Sequence, residues 1–227
     1  MAATTTLDYD DLPVLLTELT GDEKHDRSAL STLDVLWVLY DRVLRVDPRA
    51  ADDPERDRFL LSNGHGPAAF YAVLAAKGFV DIDRLAGFGA LDSPLGYHPD
   101  HLLVPGVEIS SGSLGHGLPI ALGTTLGLEA RGRARARVFC LVGDAELDEG
   151  SNWEAVQLAG RLGLGRLTTV VVDNRSSTYH WPGGIAARFE LEGWSAATVD
   201  GRDHDALHGA LTTTGERAHA VIAEVER

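Results

Sequence analysis

One stretch, residues 138–174, constrains the fold more than any other. Val138-Phe139-Cys140-Leu141-Val142 is an unbroken apolar run that closes on Gly143-Asp144-Ala145-Glu146. Residues 167–172 form a second apolar run, rich in β-branched side chains, that closes on Asp173-Asn174. Between them, residues 151–162 place Trp153, Val156, Ala159 and Leu162 on one helical face. Continuously apolar strands are buried on both faces, and strand–helix–strand order of this length is a βαβ unit. Its right-handed crossover sends both strands in the same direction. Asp144 and Asn174 therefore sit just past the carboxyl ends of two parallel strands.

The alternation continues on both sides. Residues 58–62 read as a strand ending in the turn Asn63-Gly64-His65-Gly66. Residues 67–77 read as a helix with Pro67 in its first turn and Gly78 as its stop. Residues 31–40 have helical spacing with Ser31 as N-cap. Strands over 196–199 and 220–225 flank a helix over 205–212. The predicted class is α/β, a mostly parallel sheet with helices on both faces. At 227 residues and 44% hydrophobic, with no compositional break, the chain reads as a single domain, residues 1–227. Residues 1–27 form an acidic N-terminal extension with a helix over 12–19. Residues 87–113, rich in Gly, Pro, Ser and His, read as a functional loop. Residues 114–129 return to helix, and Gly115, Gly117, Gly123 and Gly127 there imply close packing against neighbouring backbone.

Net charge of −14 argues against a nucleic-acid binder. The one basic cluster, Arg131-Gly132-Arg133-Ala134-Arg135-Ala136-Arg137, reads as a solvated segment ahead of a strand. The single cysteine, Cys140, allows no disulfide within the chain and reads as a core thiol. The N-terminus lacks a signal-peptide pattern, and no apolar run is long enough to span a membrane. The expected location is the cytoplasm.

Ligands of open α/β sheets bind beyond the carboxyl ends of the strands. A carboxylate and an amide oxygen are hard donors suited to Mg²⁺ or Ca²⁺, and Mg²⁺ takes its remaining ligands from phosphates and water. Singly, Asp144 reads as a helix cap and Asn174 as a turn residue. Together they suit a divalent cation carrying a diphosphate, with Gly143 permitting a tight turn before the helix.

The run Gly143-Asp144-Ala145-Glu146-Leu147-Asp148-Glu149-Gly150, followed by Asp173-Asn174, resembles the thiamine-diphosphate motif of transketolases. The resemblance implies a metal held by Asp144, Asn174 and the carbonyl of Ser176. It implies a diphosphate met by backbone near Gly143, Ala145 and Glu146. Residues 58–66 are similar to the segment whose histidine lies beside the diphosphate, a role that falls to His65. Leu95-Gly96-Tyr97-His98-Pro99 is similar to the Gly-His-Pro segment and implies His98 near the substrate. Residues 106–117 resemble the glycine loop, placing Gly112, Ser113 and Leu114 against the thiazolium and aminopyrimidine. Lys24-His25-Asp26-Arg27-Ser28 is similar to a segment of split transketolases and implies His25 on the substrate side. His101, His116, His180, His204, His208 and His219 are read as surface or core residues.

The pattern departs from the family at three kinds of position. Ala145 replaces a glycine, and Lys24 and Arg27 replace two more beside His25, where long cationic chains would reshape the pocket and suit an anionic substrate. The pyrimidine-binding domain, whose glutamate activates the cofactor, has no counterpart in these 227 residues, nor has a terminal loop with a further histidine. The resemblance thus implies a C-terminal-half partner subunit, a heterotetramer, and transfer of a two-carbon ketol unit between sugars or sugar phosphates. Residues 114–127 are expected to form part of the docking face. Two alternatives stand beside this: a decarboxylating subunit similar to the first component of 2-oxoacid dehydrogenases, and a non-catalytic module that binds cofactor or partner.

Overall fold

The computed structural model describes residues 7–19, 26–64 and 67–225. Five strands form one sheet: β1 (Arg58–Leu61), β2 (Val138–Gly143), β3 (Leu167–Asp173), β4 (Ser195–Asp200) and β5 (His219–Glu224), in the order β1-β2-β3-β5-β4. Every pairing is parallel. Seven α-helices surround it among the described residues: α1 (Leu12–Glu18), α2 (Asp26–Val38), α3 (Pro67–Ala76), α4 (Gly117–Ala130), α5 (Gly150–Leu162), α6 (Gly184–Leu191) and α7 (His204–Leu211).

Side chains alternate across each strand, and the sheet sorts them into two cores. Phe59, Leu61, Phe139, Leu141, Val170 and Val172 face one way, against α1, α2, α3 and α7. Leu60, Val138, Cys140, Val142, Leu167 and Val171 face the other, against α4, α5 and α6. The central strands are buried on both faces, which is why their sequences show no strict alternation; in β3 the buried Thr168 and Thr169 stand among the apolar residues. Cys140 is fully buried, and burial first, with the nearby Glu146 charge second, drives its pKa up, as suits a core thiol. No helix of the described residues is long and apolar enough to cross a membrane.

The mostly parallel sheet with helices on both faces agrees with the expectation, and β2 and β3 are direct neighbours. Three details differ. Helix α2 begins at Asp26 and continues through a wider π turn at Leu39–Val43, so Ser31 lies inside the helix, buried, and is not its N-cap. The apolar period of residues 31–40 marks the buried part of a longer helix. Helix α6, whose only fully buried side chain is Phe189, carries too weak a pattern to be anticipated. Gly117 does sit against neighbouring chain, since a Cβ there would lie 2.2 Å from the Ser62 Cβ. Gly123 and Gly127 meet nothing within 4 Å, so close packing within the described chain does not account for them.

Within the basic cluster Arg131 and Arg135 are exposed, while Arg133 and Arg137 form ion pairs with Glu55 and Asp57 at the amino end of the sheet. Asp57 is fully buried there, with Arg45 and Arg137 each 2.6 Å from its carboxylate. The backbone N–H groups of Arg45 and Arg137 also donate to it, both at 2.9 Å. Burial works to raise the pKa of Asp57, but the arginine bonds outweigh it and the net shift is downward.

Candidate active site at the carboxyl ends of the strands

Gly143 and Val172 are paired across β2 and β3, and the Asp144 N–H continues the ladder to the Val172 carbonyl at 3.0 Å. Asp144 and Asn174 therefore leave adjacent strands at the same edge. Asp144 is 2% exposed. Its Oδ2 accepts the backbone N–H groups of Ser176 at 2.6 Å and Ser177 at 2.9 Å. Its Oδ1 is held by the Ser176 hydroxyl at 2.6 Å. One oxygen is thus fixed by backbone and the other by a rotatable side chain, which can turn away to admit a cation. Asp148 steadies the same loop, accepting from the Ser177 and Thr178 hydroxyls, both at 2.8 Å. Burial raises the Asp148 pKa, but these bonds more than offset it and the net shift is downward.

The turn between β3 and the loop rests on Arg175, which adopts a left-handed backbone (φ 59°). Its N–H donates to the Asp173 carboxylate at 3.0 Å. A left-handed arginine is uncommon, and such strain clusters at functional sites. Asp144, Asp173, Arg175, Ser177, Tyr179 and His180 line one side of a cavity of about 300 Å³.

Glu146 follows two residues after Asp144, in a short 3₁₀ turn at Ala145–Asp148, and is also 2% exposed. Its Oε1 accepts from the Ser62 hydroxyl and from the Gly115 N–H at 3.0 Å. Its Oε2 makes a longer contact with the Gly143 N–H at 3.4 Å. Burial raises its pKa, and these donors offset that only partly. The Asn152 amide and the Trp153 indole, on α5, donate to the carbonyls of Glu146 and Leu147, both at 2.7 Å, and pin the turn to the helix. None of the ion pairs among the described residues includes Asp144 or Glu146.

The glycine loop reaches the same place. Gly112 has φ 121°, and a Cβ on it would lie 2.7 Å from the His98 ring. A Cβ on Gly64 would meet the Gly112 N at 2.8 Å. The turn after β1, the loop at 111–117 and His98 therefore converge with no space for side chains between them. His98, Gly112, Ser113 and Leu114 are exposed.

These positions bear directly on the sequence expectations. Asp144 and Ser176 are hydrogen-bonded and Asn174 follows β3 at the same edge, while Gly112, His98 and the turn leading to His65 converge. His25 and His65 lie outside the described residues, as does Lys24, and of Arg27 only its place in α2 is described. Gly143 does not have a left-handed backbone, so no tight turn requires the glycine; a Cβ there would come 3.1 Å from the Asn63 amide, the movable end of a side chain. Ala145 lies in the 3₁₀ turn without positive φ, which an alanine adopts without strain. Glu146 points inward to Ser62 and Gly115. The roles of Ser62, Asp148 and Ser177 are not marked in the sequence, because hydroxyls and lone carboxylates carry no periodic signal.

Among the described residues no three His, Cys, Asp or Glu side chains converge on one point. The strand ends offer the carboxylates of Asp144 and Asp173 and the amide of Asn174. Such a set leaves most positions of a hard cation to water or phosphate, which fits Mg²⁺ carrying a diphosphate.

Comparison with known proteins identifies the family. Residues 20–221 match the family model "Transketolase, thiamine diphosphate binding domain". The chain is 51% identical over 224 residues to "Ferredoxin fas2" of Rhodococcoides fascians, covering 98% of this chain and 74% of that one. One cysteine cannot furnish the four thiolates of a plant-type iron–sulfur cluster, so that name describes nothing found in these residues. It is 40% identical over 151 residues to one subunit of the apulose-4-phosphate transketolase of Actinobacillus succinogenes, covering 66% of this chain and 54% of that one. It is 33% identical over 193 residues to the 6-deoxy-6-sulfo-D-fructose transketolase subunit SqwG of a Clostridium strain, covering 82% of this chain and 70% of that one. Among solved structures, a transketolase from Pichia stipitis superposes with a TM-score of 0.81 at 25% identity, over 96% of this chain and 36% of that chain. The chain therefore spans about a third of the length of the solved transketolases it matches. With the family model covering most of its length, this chain belongs to the transketolase family, as a thiamine-diphosphate-binding domain of the N-terminal type.

Proposed function

We propose that the chain is the N-terminal subunit of a two-component transketolase, a single diphosphate-binding domain that works with a C-terminal-half partner. In this reading Asp144, Asn174 and the Ser176 carbonyl hold Mg²⁺, or Ca²⁺, and the backbone at Gly143, Ala145 and Glu146 borders the diphosphate. Asp144 serves through Oδ1, while Oδ2 stays on the two backbone N–H groups. Gly112, Ser113 and Leu114 form the wall against the cofactor rings. His65 donates toward the diphosphate, and His98 and His25 donate toward oxygens of the sugar or sugar phosphate. Thiamine diphosphate, when bound, supplies the carbanion chemistry of ketol transfer. The protein's task is to anchor, orient and exclude water.

The observation that carries this reading is the carboxylate of Asp144, buried at the strand end with one oxygen fixed by backbone and the other held by a movable hydroxyl. It is an anionic socket with no ion-pair partner among the described residues. Two relatives named as transketolase subunits support the partner. A heterotetramer and a cytoplasmic location complete the proposal.

Calorimetry with thiamine diphosphate and Mg²⁺, with and without a co-expressed C-terminal half, tests the cofactor assignment. Product analysis of the assembled pair with a ketose phosphate and with pyruvate tests the reaction. Ketol transfer supports the reading. Carbon dioxide release from pyruvate makes the chain a decarboxylating subunit, and binding without turnover of either makes it a non-catalytic module.

A further inference from the structure

Three segments that face the proposed cofactor come from distant parts of the sequence: the turn after β1, the glycine loop and the turn after β2. Glu146 is where they meet. Its Oε1 takes the Ser62 hydroxyl and the Gly115 N–H, at 3.0 Å for the latter, and its Oε2 lies 3.4 Å from the Gly143 N–H. Ser62 passes the connection on, because its hydroxyl oxygen accepts the Gly117 N–H at 3.0 Å. The opposite side of the loop is tied to α5, where the Ser151 hydroxyl donates to the Gly115 carbonyl at 2.7 Å.

The packing leaves little room for an alternative. A Cβ at Gly115 would lie 2.6 Å from the Glu149 Cβ, and one at Gly117 would lie 2.2 Å from the Ser62 Cβ. Backbone thus approaches closely at both positions, and the N–H groups of Gly115 and Gly117 are shut away from water. Buried N–H groups need acceptors. The acceptors come from Glu146 directly and from Ser62 through it. The next residues outward, Gly112, Ser113 and Leu114, are exposed.

We propose that Glu146 is a positioning residue: it couples the glycine loop to the Gly143-Asp144 anchor, so that the loop keeps its cofactor-facing conformation only while Glu146 accepts from Ser62 and Gly115. It acts through the loop and not by touching the ligand. This rests on the thiamine-diphosphate reading for its consequence, but the coupling itself is a property of the chain alone.

The test has two independent arms. Amide hydrogen exchange of the 227-residue chain without cofactor reads the coupling. Glu146→Ala should expose the Gly115 and Gly117 amides at least tenfold, with the β3 and β5 amides unchanged. Ser62→Ala should expose Gly117 and leave Gly115 protected. Glu146→Gln keeps one acceptor oxygen and should restore protection at both, a rescue that loss of general packing would not show. Calorimetry of the chain with its partner half, using thiamine diphosphate and Mg²⁺, reads the consequence. Glu146→Ala should weaken binding by about 10- to 100-fold, the range seen when supporting residues of a ligand site are removed, and Glu146→Gln by about threefold at most. Unchanged exchange at Gly115 in Glu146→Ala overturns the coupling, as does failure of Glu146→Gln to rescue. If Glu146→Ala does not fold, the Ser62→Ala and Glu146→Gln pair decides. If the wild-type pair binds no thiamine diphosphate, the functional reading falls with the calorimetric arm, while exchange still decides the coupling.

Discussion

The two ends of β2 hold buried carboxylates in opposite ways. At the amino end Asp57 is closed by two arginines and two backbone N–H groups, a complete ionic unit. At the carboxyl end Asp144 and Glu146 are held by hydroxyls and backbone N–H groups alone. Burying a carboxylate is costly unless it is paired, hydrogen-bonded or bound to a metal. The amino end meets that cost within the chain and is a structural clasp. The carboxyl end meets it with neutral donors, which leaves negative charge for a cation to complete. The same strands thus carry a finished site and a receptive one, and the receptive one lies where open α/β sheets bind ligands.

Mutation should separate the two ends, and the largest effect is expected at the anchor. Asp144→Ala should weaken Mg²⁺-dependent binding of thiamine diphosphate by more than about 100-fold, beyond what loss of a supporting residue does. Its folding should change far less, which calorimetry and thermal melting of the same sample would show together. Equal losses in both would mean that Asp144 is only a loop clasp, and the comparison would break. Asp57→Ala should reverse the pattern. It strands Arg45 and Arg137 and should cost about 3 kcal/mol in urea unfolding, while cofactor binding by the folded fraction stays within about twofold. Gly117→Ala should fall between them, costing about 1–3 kcal/mol because its methyl would press into Ser62 at the root of the glycine loop.

The smallest effect is a difference in acid dependence. The folded-state pKa of Asp57 is depressed, so the stability it contributes is present above its ordinary value of 3.8 and is lost as pH falls through the lower folded value. Glu146 runs the other way. Its folded pKa is raised, so the folded state favours the protonated form, and its stability contribution is greatest below the ordinary 4.5 and is lost as pH rises through the higher folded value. Urea midpoints measured between about pH 3 and 7 should therefore show Glu146→Gln gaining on the wild type as pH rises, whereas Asp57→Asn falls further behind. Parallel curves for both variants would mean the two carboxylates share one kind of environment.

Much of this is legible in the order of residues alone. The continuous apolar run at 138–142 and the β-branched run at 167–172 announce strands buried on both faces, since burial on both faces suppresses the usual alternation. Their polar ends, with Asp144 and Asn174, mark the ligand edge. Gly78 and Pro67 bound α3 because each has backbone restrictions that suit only a helix end. The pattern is weaker where context decides. Ser31 resembles a cap, but α2 begins earlier, and only tertiary packing buries a serine within a helix. A turn is the natural reading of Gly143, yet its backbone is not left-handed, so the turn does not need it. Gly123 and Gly127 resemble Gly117 in sequence, yet only Gly117 meets a neighbour.

The sequence by itself determined the fold class, the family and the edge of the sheet where chemistry belongs. Those depend on local periodicity and on short motifs whose members lie close along the chain. Only the tertiary structure decided what each polar group does there. Ser62 and Glu146 are 84 positions apart, and Asp57 and Arg137 are 80 apart, and nothing local joins them. Parallel strands of one sheet bring such residues together only after long crossovers close. Whether a carboxylate meets an arginine, a hydroxyl or a backbone N–H is settled at that contact. That contact makes Asp57 a clasp, Asp144 an anchor and Glu146 the link between loops.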